Sequence, residues 1–389
     1  MNTFELDNTY VADTYARFPV EIVSGKGSVI VDKDGKEYID MATGIAVNTF
    51  GLCDDKGTAA IEAQLKCFQH TSNLYYSAPC AKLAALMCEK TGMKKVFFSN
   101  SGAEANECAI KTARKYAADK HGEEYYNIIT LTGSFHGRTV TTLAATGQDV
   151  FHTKFKPLTE GFIYCETNNT EQLIELVNNN KIAAIMLEPL QGEGGINPLD
   201  KGFVKTVARL AKEKDIIVIA DEVQCGNGRT GKLYGYMNFD ITPDIVSTAK
   251  GLGGGLPIGA TLFGEKTCDV LGKSDHGSTF GGNPVACAGA ISIFERLDES
   301  CLAGVLERSK YIIDKLSGSP GIKSVTGLGL MLGIETEKDA GEVIAECMAN
   351  GVMPIKAKHK VRLLPALNIP FDKLERAVEV IKKAAQPNI

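Results

Sequence analysis

The chain has 389 residues, 44% of them apolar and 23% charged, with 42 basic against 47 acidic side chains and a formal net charge of −5. This is the make-up of a soluble globular protein of two or three domains at about 150 residues each. The acidic balance argues against non-specific binding to nucleic acid or to an anionic membrane, and no apolar run approaches the ~18–20 residues that a spanning helix needs.

In chain order, β-branched apolar runs alternate with longer helical stretches, which predicts an α/β fold on a mostly parallel sheet. Strands are expected around Ile30 and Tyr38 and then over 96–99, followed by an Ala-, Lys- and Glu-rich helix over 104–121. A strand over 127–132, a helix over 171–178 and a strand over 183–188, ended by Pro189, come next. A helix over 202–214 leads into a strand over 216–221, and short strands follow over 244–248 and 260–264. Asn283-Pro284 opens a long helix over 283–297. The last hundred residues mix a helix over 303–316, strands around Val325 and over 331–335, and a terminal helix over 372–383.

The 11 cysteines are odd in number and form no C-x-x-C pair, and the six histidines are widely spaced. Neither a metal site nor a thioredoxin-like motif is therefore expected. The N-terminal Met1-Asn2-Thr3-Phe4-Glu5-Leu6-Asp7 lacks the basic and apolar regions of a secretory signal, so reduced thiols and a cytoplasmic location are expected.

Gly226-Asn227-Gly228-Arg229-Thr230-Gly231 formally matches G-x-G-x-x-G after a strand. A dinucleotide site needs a helix to open there, and Lys232-Leu233-Tyr234-Gly235-Tyr236 reads as a turn instead. A nicotinamide-dependent dehydrogenase stays as an alternative on that loop, and a catalytically silent binding protein as another. Three other features carry more chemistry. Ser99-Asn100-Ser101-Gly102-Ala103-Glu104 joins a strand to a helix, with Ser101 and Glu104 placed as a capping box and small residues leaving N–H groups open to a phosphate. The strand 216–221 delivers Asp221 and Glu222 at its C-terminal end, where a carboxylate can hold a protonated ring nitrogen. Lys250 lies between Ala249 and Gly251, ahead of glycine-dense Gly253-Gly254-Gly255. A partly desolvated lysine has a lowered pKa and becomes an amine nucleophile.

Phosphate cradle, ring-nitrogen carboxylate and Schiff-base lysine together describe a pyridoxal phosphate site. Over nearly its whole length the chain resembles the class III (ω-amino) aminotransferases, of the fold-type I pyridoxal phosphate enzymes. The likeness is carried by Ser101-Gly102-Ala103-Glu104-Ala105-Asn106, Ser134-Phe135-His136-Gly137-Arg138-Thr139, Glu188-Pro189-Leu190-Gln191-Gly192-Glu193-Gly194-Gly195, Asp221-Glu222-Val223-Gln224, Lys250 and Gly277-Ser278-Thr279-Phe280-Gly281-Gly282-Asn283-Pro284. Further strings, among them Asn73-Leu74-Tyr75-Tyr76 and Gln224-Cys225-Gly226-Asn227-Gly228-Arg229-Thr230-Gly231, are similar to those of members acting on N2-acetylornithine. Gly51-Leu52-Cys53-Asp54-Asp55 departs from the family, which usually has Gly-His and then His-Pro there.

The resemblance implies a large cofactor-binding α/β domain over 51–290, a smaller α+β C-terminal domain over 291–389, and an N-terminal segment, 1–50, packed with the small domain. It implies that Lys250 binds the coenzyme and shuttles a proton, and that Asp221 pairs with the ring nitrogen. Glu222 and Val223 lie beside it, Gln224 bonds the phenolic oxygen and Phe135 stacks on the ring. Ser101, Gly102 and Ala103 hold the phosphate, which Thr279 reaches from the second subunit of a homodimer, with the active site at the subunit interface. Arg138 binds the carboxylate of the amino donor, and Arg362 that of glutamate or 2-oxoglutarate. Glu193 is the switch that covers Arg362, and Ser278 and Tyr15 are further substrate contacts. The implied reaction moves the δ-amino group of N2-acetylornithine to 2-oxoglutarate. Ornithine, succinylornithine, succinyldiaminopimelate and 4-aminobutyrate stay as alternative donors, because one acyl group changes binding by only about 1–3 kcal/mol.

Overall fold

The computed structural model describes residues 1–387. Its centre is a seven-stranded sheet in the order Lys95–Ser99, Gly259–Phe263, Ile245–Thr248, Ile217–Asp221, Ile182–Leu187, Asn127–Leu131, Phe162–Cys165. Only Gly259–Phe263 runs against its neighbours. Parallel strands need long crossovers that place helices on both faces, so such strands are apolar throughout rather than alternating. Ile182–Leu187 and Ile217–Asp221 are buried at every position. Ile128, Ala184, Ile217 and Ile219 pack against the face covered by the helix Gly102–His121. Ile129, Ile185, Leu187 and Val218 pack on the other face, against Leu173 and Val177 of Thr170–Asn179 and Phe203 and Val207 of Lys201–Lys214. Each buried branched side chain contributes about 1.5–3 kcal/mol.

Two four-stranded sheets and a two-stranded one, Leu190–Gln191 with Asn197–Pro198, lie outside this body. Ile322–Leu328, Met331–Thr336, Lys360–Leu363 and Ile355–Ala357 form an antiparallel sheet. In the second, Val352–Met353 pairs in parallel with Glu37–Asp40, which continues through Val29–Asp32 to Ile22–Lys26. The architecture is thus α/β with a mostly parallel central sheet and a separate small C-terminal domain.

The expected helices are all present, with earlier starts where a cap sets them. Ser101 caps Gly102–His121, and Asp298 caps Glu299–Leu316 by accepting from the Cys301 N–H. Helices Thr3–Tyr10, Asp55–Leu65, Ala78–Thr91, Val140–Ala145 and Ala340–Ala349 are additional to those expected, as are the strands Ile22–Lys26 and Phe162–Cys165 among others. Where the sequence departs from the family around Cys53, Asp54 caps Asp55–Leu65 and makes a two-pronged pair with Arg296 at 2.9 and 2.6 Å. There a guanidinium holds the capping carboxylate in place.

The glycine loop after Ile217–Asp221 opens no helix, and only a short 3₁₀ turn, Gly235–Asn238, follows. This removes the dinucleotide geometry that a dehydrogenase would need. The loop is anchored by Glu222, whose buried carboxylate accepts from the Gly235 and Tyr236 N–H groups, both at 2.6 Å. Glu222 therefore faces into the loop rather than toward a cofactor, which corrects its expected role.

Burial, only partly opposed by those two donors, raises the Glu222 pKa to about 7, and Glu188 is likewise raised to about 7. An unfolded glutamate ionises near 4.5. Between those values the folded chain binds the extra protons, so its stability falls as pH rises through that window. Thermal melts at a series of pH values should show Tm falling from about pH 5 to about pH 7.5. In Glu222→Gln that fall should be shallower, even though the amide lowers stability at every pH. An undiminished slope would mean that Glu222 is not among the groups responsible.

Candidate active site

The C-terminal ends of the parallel strands converge on a cavity of about 400 Å³. Its wall draws on four of these strand ends: Gly102 after Lys95–Ser99, Phe135 and Arg138 after Asn127–Leu131, Asp221 and Gln224 at the end of Ile217–Asp221, and Lys250 after Ile245–Thr248. Crevices at this end of an open α/β sheet are where ligands bind.

One wall is the start of the 20-residue helix Gly102–His121. Gly102 has no room for a side chain, because a Cβ there would stand 2.6 Å from Val223 Cγ1. The Ser101 hydroxyl accepts from the Glu104 N–H at 3.2 Å, as a capping box requires. The Glu104 carboxylate, however, accepts from the Asn100 N–H at 3.0 Å and the Asn100 amide at 2.9 Å rather than returning to the Ser101 N–H. The expected box is thus half formed. The N–H groups of Gly102 and Ala103 are the first of the helix, which no preceding turn can satisfy. With the helix dipole behind them they form an anion cradle.

Across the cavity, Asp221 is 2% exposed at the end of its strand. Its Oδ2 accepts from Asn106 Nδ2 and faces His136 Nδ1, both at 2.7 Å, and Oδ1 accepts from the Val223 N–H at 3.0 Å. Ser247 Oγ donates to Asn106 Oδ1 at 2.5 Å, which fixes the amide with its NH₂ toward Asp221. A carboxylate is only an acceptor here, so His136 carries its hydrogen on Nδ1. Sequence reasoning assigned no role to Asn106 or His136. The available signal was a polar side chain on the Ala-rich, inward face of a helix for Asn106, and a histidine between two core positions for His136.

Lys250 follows the strand Ile245–Thr248 with φ of 45°, a left-handed conformation unusual for a side-chain-bearing residue. Burial lowers its ammonium pKa, against an opposing pull from Glu193. Behind Gln224, Arg362 Nη1 meets Glu193 Oε1 at 2.6 Å and Gln224 Oε1 at 3.1 Å. Burial would raise the Glu193 pKa, but the Arg362 guanidinium outweighs it and the carboxyl is held below its ordinary value. Arg362 Nε is buried without a hydrogen-bond partner among the described residues.

The remaining expected residues divide. Ser101, Ala103 and Val223 line the cavity with Gly102. Arg138 is exposed at its mouth and lies 5.6 Å over the Phe135 ring and 4.8 Å over Phe151. Glu222 points away, as described above. Ser278 stands just outside, its hydroxyl 3.2 Å from Asn100 Nδ2. Thr279 is exposed and outside this chain's own cavity. Tyr15 is 70% exposed beside Arg17, in a separate depression formed by the N-terminal segment. An exposed N-terminal stretch has no packing that could carry Tyr15 to the cavity within one chain.

Pyridoxal phosphate fits these residues on three counts. The anion cradle suits its phosphate, Asp221 Oδ1 has a lone pair left for a ring N–H, and a desolvated lysine is the amine its aldehyde requires. Among the described residues no His, Cys, Asp and Glu cluster could hold a metal.

The profile of the class-III aminotransferase family matches residues 10–385. The acetylornithine aminotransferase of Haemophilus ducreyi is 46% identical over 97% of this chain and 96% of its own length. The ornithine aminotransferase of Toxoplasma gondii superposes with a TM-score of 0.94 at 31% identity, covering 98% of this chain and 94% of that one. A second structure of that enzyme has partial occupancy of PLP at its active site. The N-acetylornithine aminotransferase of Stenotrophomonas maltophilia superposes with a TM-score of 0.85 at 35% identity over 98% of both chains. With this cavity at the end of this sheet, and family likeness along nearly the whole sequence, the chain belongs to the class III aminotransferases and is a pyridoxal-phosphate-dependent transaminase.

Proposed function

We propose that the enzyme moves the δ-amino group of N2-acetylornithine to 2-oxoglutarate, giving N-acetylglutamate 5-semialdehyde and glutamate. The observation that carries this reading is a pair of arginines beside one lysine, of which one is open and the other covered by a carboxylate. Arg138 is exposed at the mouth, while Arg362 is 3% exposed and paired with Glu193. A donor whose reacting amine is far from its carboxylate needs only Arg138. An α-oxo acid also brings a carboxylate beside the reacting carbon, and Arg362 takes it bidentately once Glu193 lets go. The high identity to relatives named acetylornithine aminotransferase supports the acylated donor, whereas the shape match to ornithine aminotransferase favours free ornithine as the second reading.

When bound, pyridoxal phosphate supplies the electron sink that makes proton loss beside the amine feasible. Gly102 and Ala103 would hold its phosphate, Asp221 would keep its ring nitrogen protonated, Phe135 would cover the ring and Gln224 would bond its phenolic oxygen. Lys250, its ammonium destabilised by burial, gives up a proton and serves as the base at the carbon that bears the nitrogen.

The chain works as a homodimer in this reading. Leu74 and Tyr75 are 87% and 71% exposed and Phe280 is bare beside Thr279. Asn73 ties the two stretches by donating to the Ser278 and Gly281 carbonyls at 3.0 and 2.9 Å. So large an apolar patch suits burial by a second copy, with Thr279 carried toward the other cavity. Eleven free thiols, two of them on exposed cysteines, suit the reducing cytoplasm.

Borohydride reduction of protein supplied with pyridoxal phosphate should fix the coenzyme to the chain, with peptide mapping placing it on Lys250. Lys250→Ala should stay unlabelled and inactive; label retained elsewhere in that variant would refute the assignment. Initial rates on acetylornithine, ornithine, succinylornithine and 4-aminobutyrate at equal concentration should favour acetylornithine. A preference of more than about tenfold for ornithine or 4-aminobutyrate would overturn the donor. Glu193→Ala should shift the ratio of half-reactions toward glutamate by about tenfold, since the covering carboxylate is gone. An unchanged ratio would exclude the switch.

A further inference from the structure

Lys250 and Arg362 belong to different sheets, yet the chemistry above needs them at a fixed separation. The backbone on both sides of Lys250 is held by side chains. Asn227 Nδ2 donates to the Ala249 carbonyl at 3.1 Å, and Thr49 Oγ1 donates to the Gly251 carbonyl at 2.7 Å. Each of these tethers continues to the stretch just after the strand Lys360–Leu363. Two residues beyond Asn227, Arg229 Nη1 donates to the Pro365 carbonyl and, at 3.3 Å, to the Leu330 carbonyl. On the other side, the Thr49 carbonyl accepts from the Leu367 N–H at 2.9 Å.

The packing leaves no slack. A Cβ on Gly228 would stand 2.8 Å from Leu367 Cδ1, and one on Gly251 would stand 2.8 Å from Thr49 Oγ1. Thr49, Asn227 and Arg229 are 1%, 3% and 2% exposed. Burying a guanidinium against carbonyls, with the buried Asp40 carboxylate acting on it only at longer range than a salt bridge, is a poor route to stability alone. Lys250 meanwhile keeps a strained left-handed φ that its surroundings must over-determine. The Gly226 loop, left without a nucleotide to bind, acquires a purpose in this arrangement.

We propose that Thr49 on one side and the Asn227–Arg229 arm on the other form a clamp that sets the spacing of Lys250 and Arg362, making these three positioning residues for the α-oxo-acid half-reaction. This rests on the roles given above to Lys250 and Arg362. The half-reaction with the ω-amine depends on Lys250 and Arg138 and does not use Arg362. Loosening the clamp therefore harms the two half-reactions unequally, which a general loss of stability does not.

The test is single-turnover kinetics on the holoenzyme, following each half-reaction by its visible absorbance change, with thermal melts alongside. Thr49→Val should lower the 2-oxoglutarate half-reaction on the order of tenfold more than the acetylornithine half-reaction, the scale expected of a small misplacement. The loss should appear mainly in the half-saturating concentration of 2-oxoglutarate. Thr49→Ser, which restores the donor to Gly251, should return the ratio to within about twofold of wild type. Asn227→Ala should resemble Thr49→Val, and so should Arg229→Met where it folds; Thr49→Val decides the matter if it does not. Equal loss in both half-reactions, or a ratio that Thr49→Ser does not restore, would overturn the clamp while leaving the enzyme's assignment intact. A wild-type protein that carries out neither half-reaction would instead overturn the functional reading on which the clamp stands.

Discussion

A carboxylate buried at the tip of the central strand constrains everything around it. Removing such a charge from water costs several kcal/mol unless donors replace the lost hydration. Asp221 has three, from Asn106, His136 and the Val223 backbone. Those donors come from the helix that begins the phosphate cradle, from the loop that carries Phe135 and Arg138, and from the turn that leads to Gln224. Satisfying one carboxylate therefore also sets the relative positions of the cradle, the aromatic wall and Gln224. The Ser247 hydroxyl extends this order to the strand that delivers Lys250, because it fixes which way the Asn106 amide points.

The sheet supplies the other half of the constraint. Parallel strands deliver Asp221, Lys250 and the Phe135 loop to one edge, while their helices exclude water from both faces. Lys250 gains most from this. Its short strand ends inside the protein, so the ammonium is disfavoured without any neighbouring positive charge being indispensable. The glycines that follow it allow the backbone to turn back beneath the cavity, where Gly253 already lies against the Leu256 carbonyl.

Much of this was legible because burial and chemistry leave different marks. The strands of the large sheet are continuous apolar runs, and their C-terminal ends carry the odd residues: Asp221, Lys250, Ser101. Ala78–Thr91 was not legible, since apolar and small residues surround it on most sides and blur the helical period. The strands after residue 350 are only two to four residues long, too short for any period to appear. Asn106 and His136 act only through contacts with a residue far away in sequence, which spacing cannot express. Glu222 was misjudged because it lies one residue beyond the strand, where its carboxylate accepts from the Gly235 and Tyr236 N–H groups, remote from it in sequence.

The same reasoning explains why the covered arginine is covered by glutamate. A buried, solitary guanidinium would be costly, and a hydrophobic lid would leave its donors unsatisfied. Glu193 takes one of them with the same chemical group that an oxo acid brings, so exchanging one carboxylate for the other conserves the charge and that hydrogen bond. The two partners of the proposed exchange differ in exposure: the Arg362 side chain is 3% exposed and the Glu193 side chain 31%. The guanidinium stays fixed while its partner can move toward water, where a released carboxylate is fully hydrated. Gln224 bonds Arg362 at 3.1 Å and so keeps the fork oriented while its carboxylate changes. The net cost of opening is then close to the difference between two similar ion pairs rather than the full cost of breaking one, which is what a site serving two unlike substrates in alternation requires.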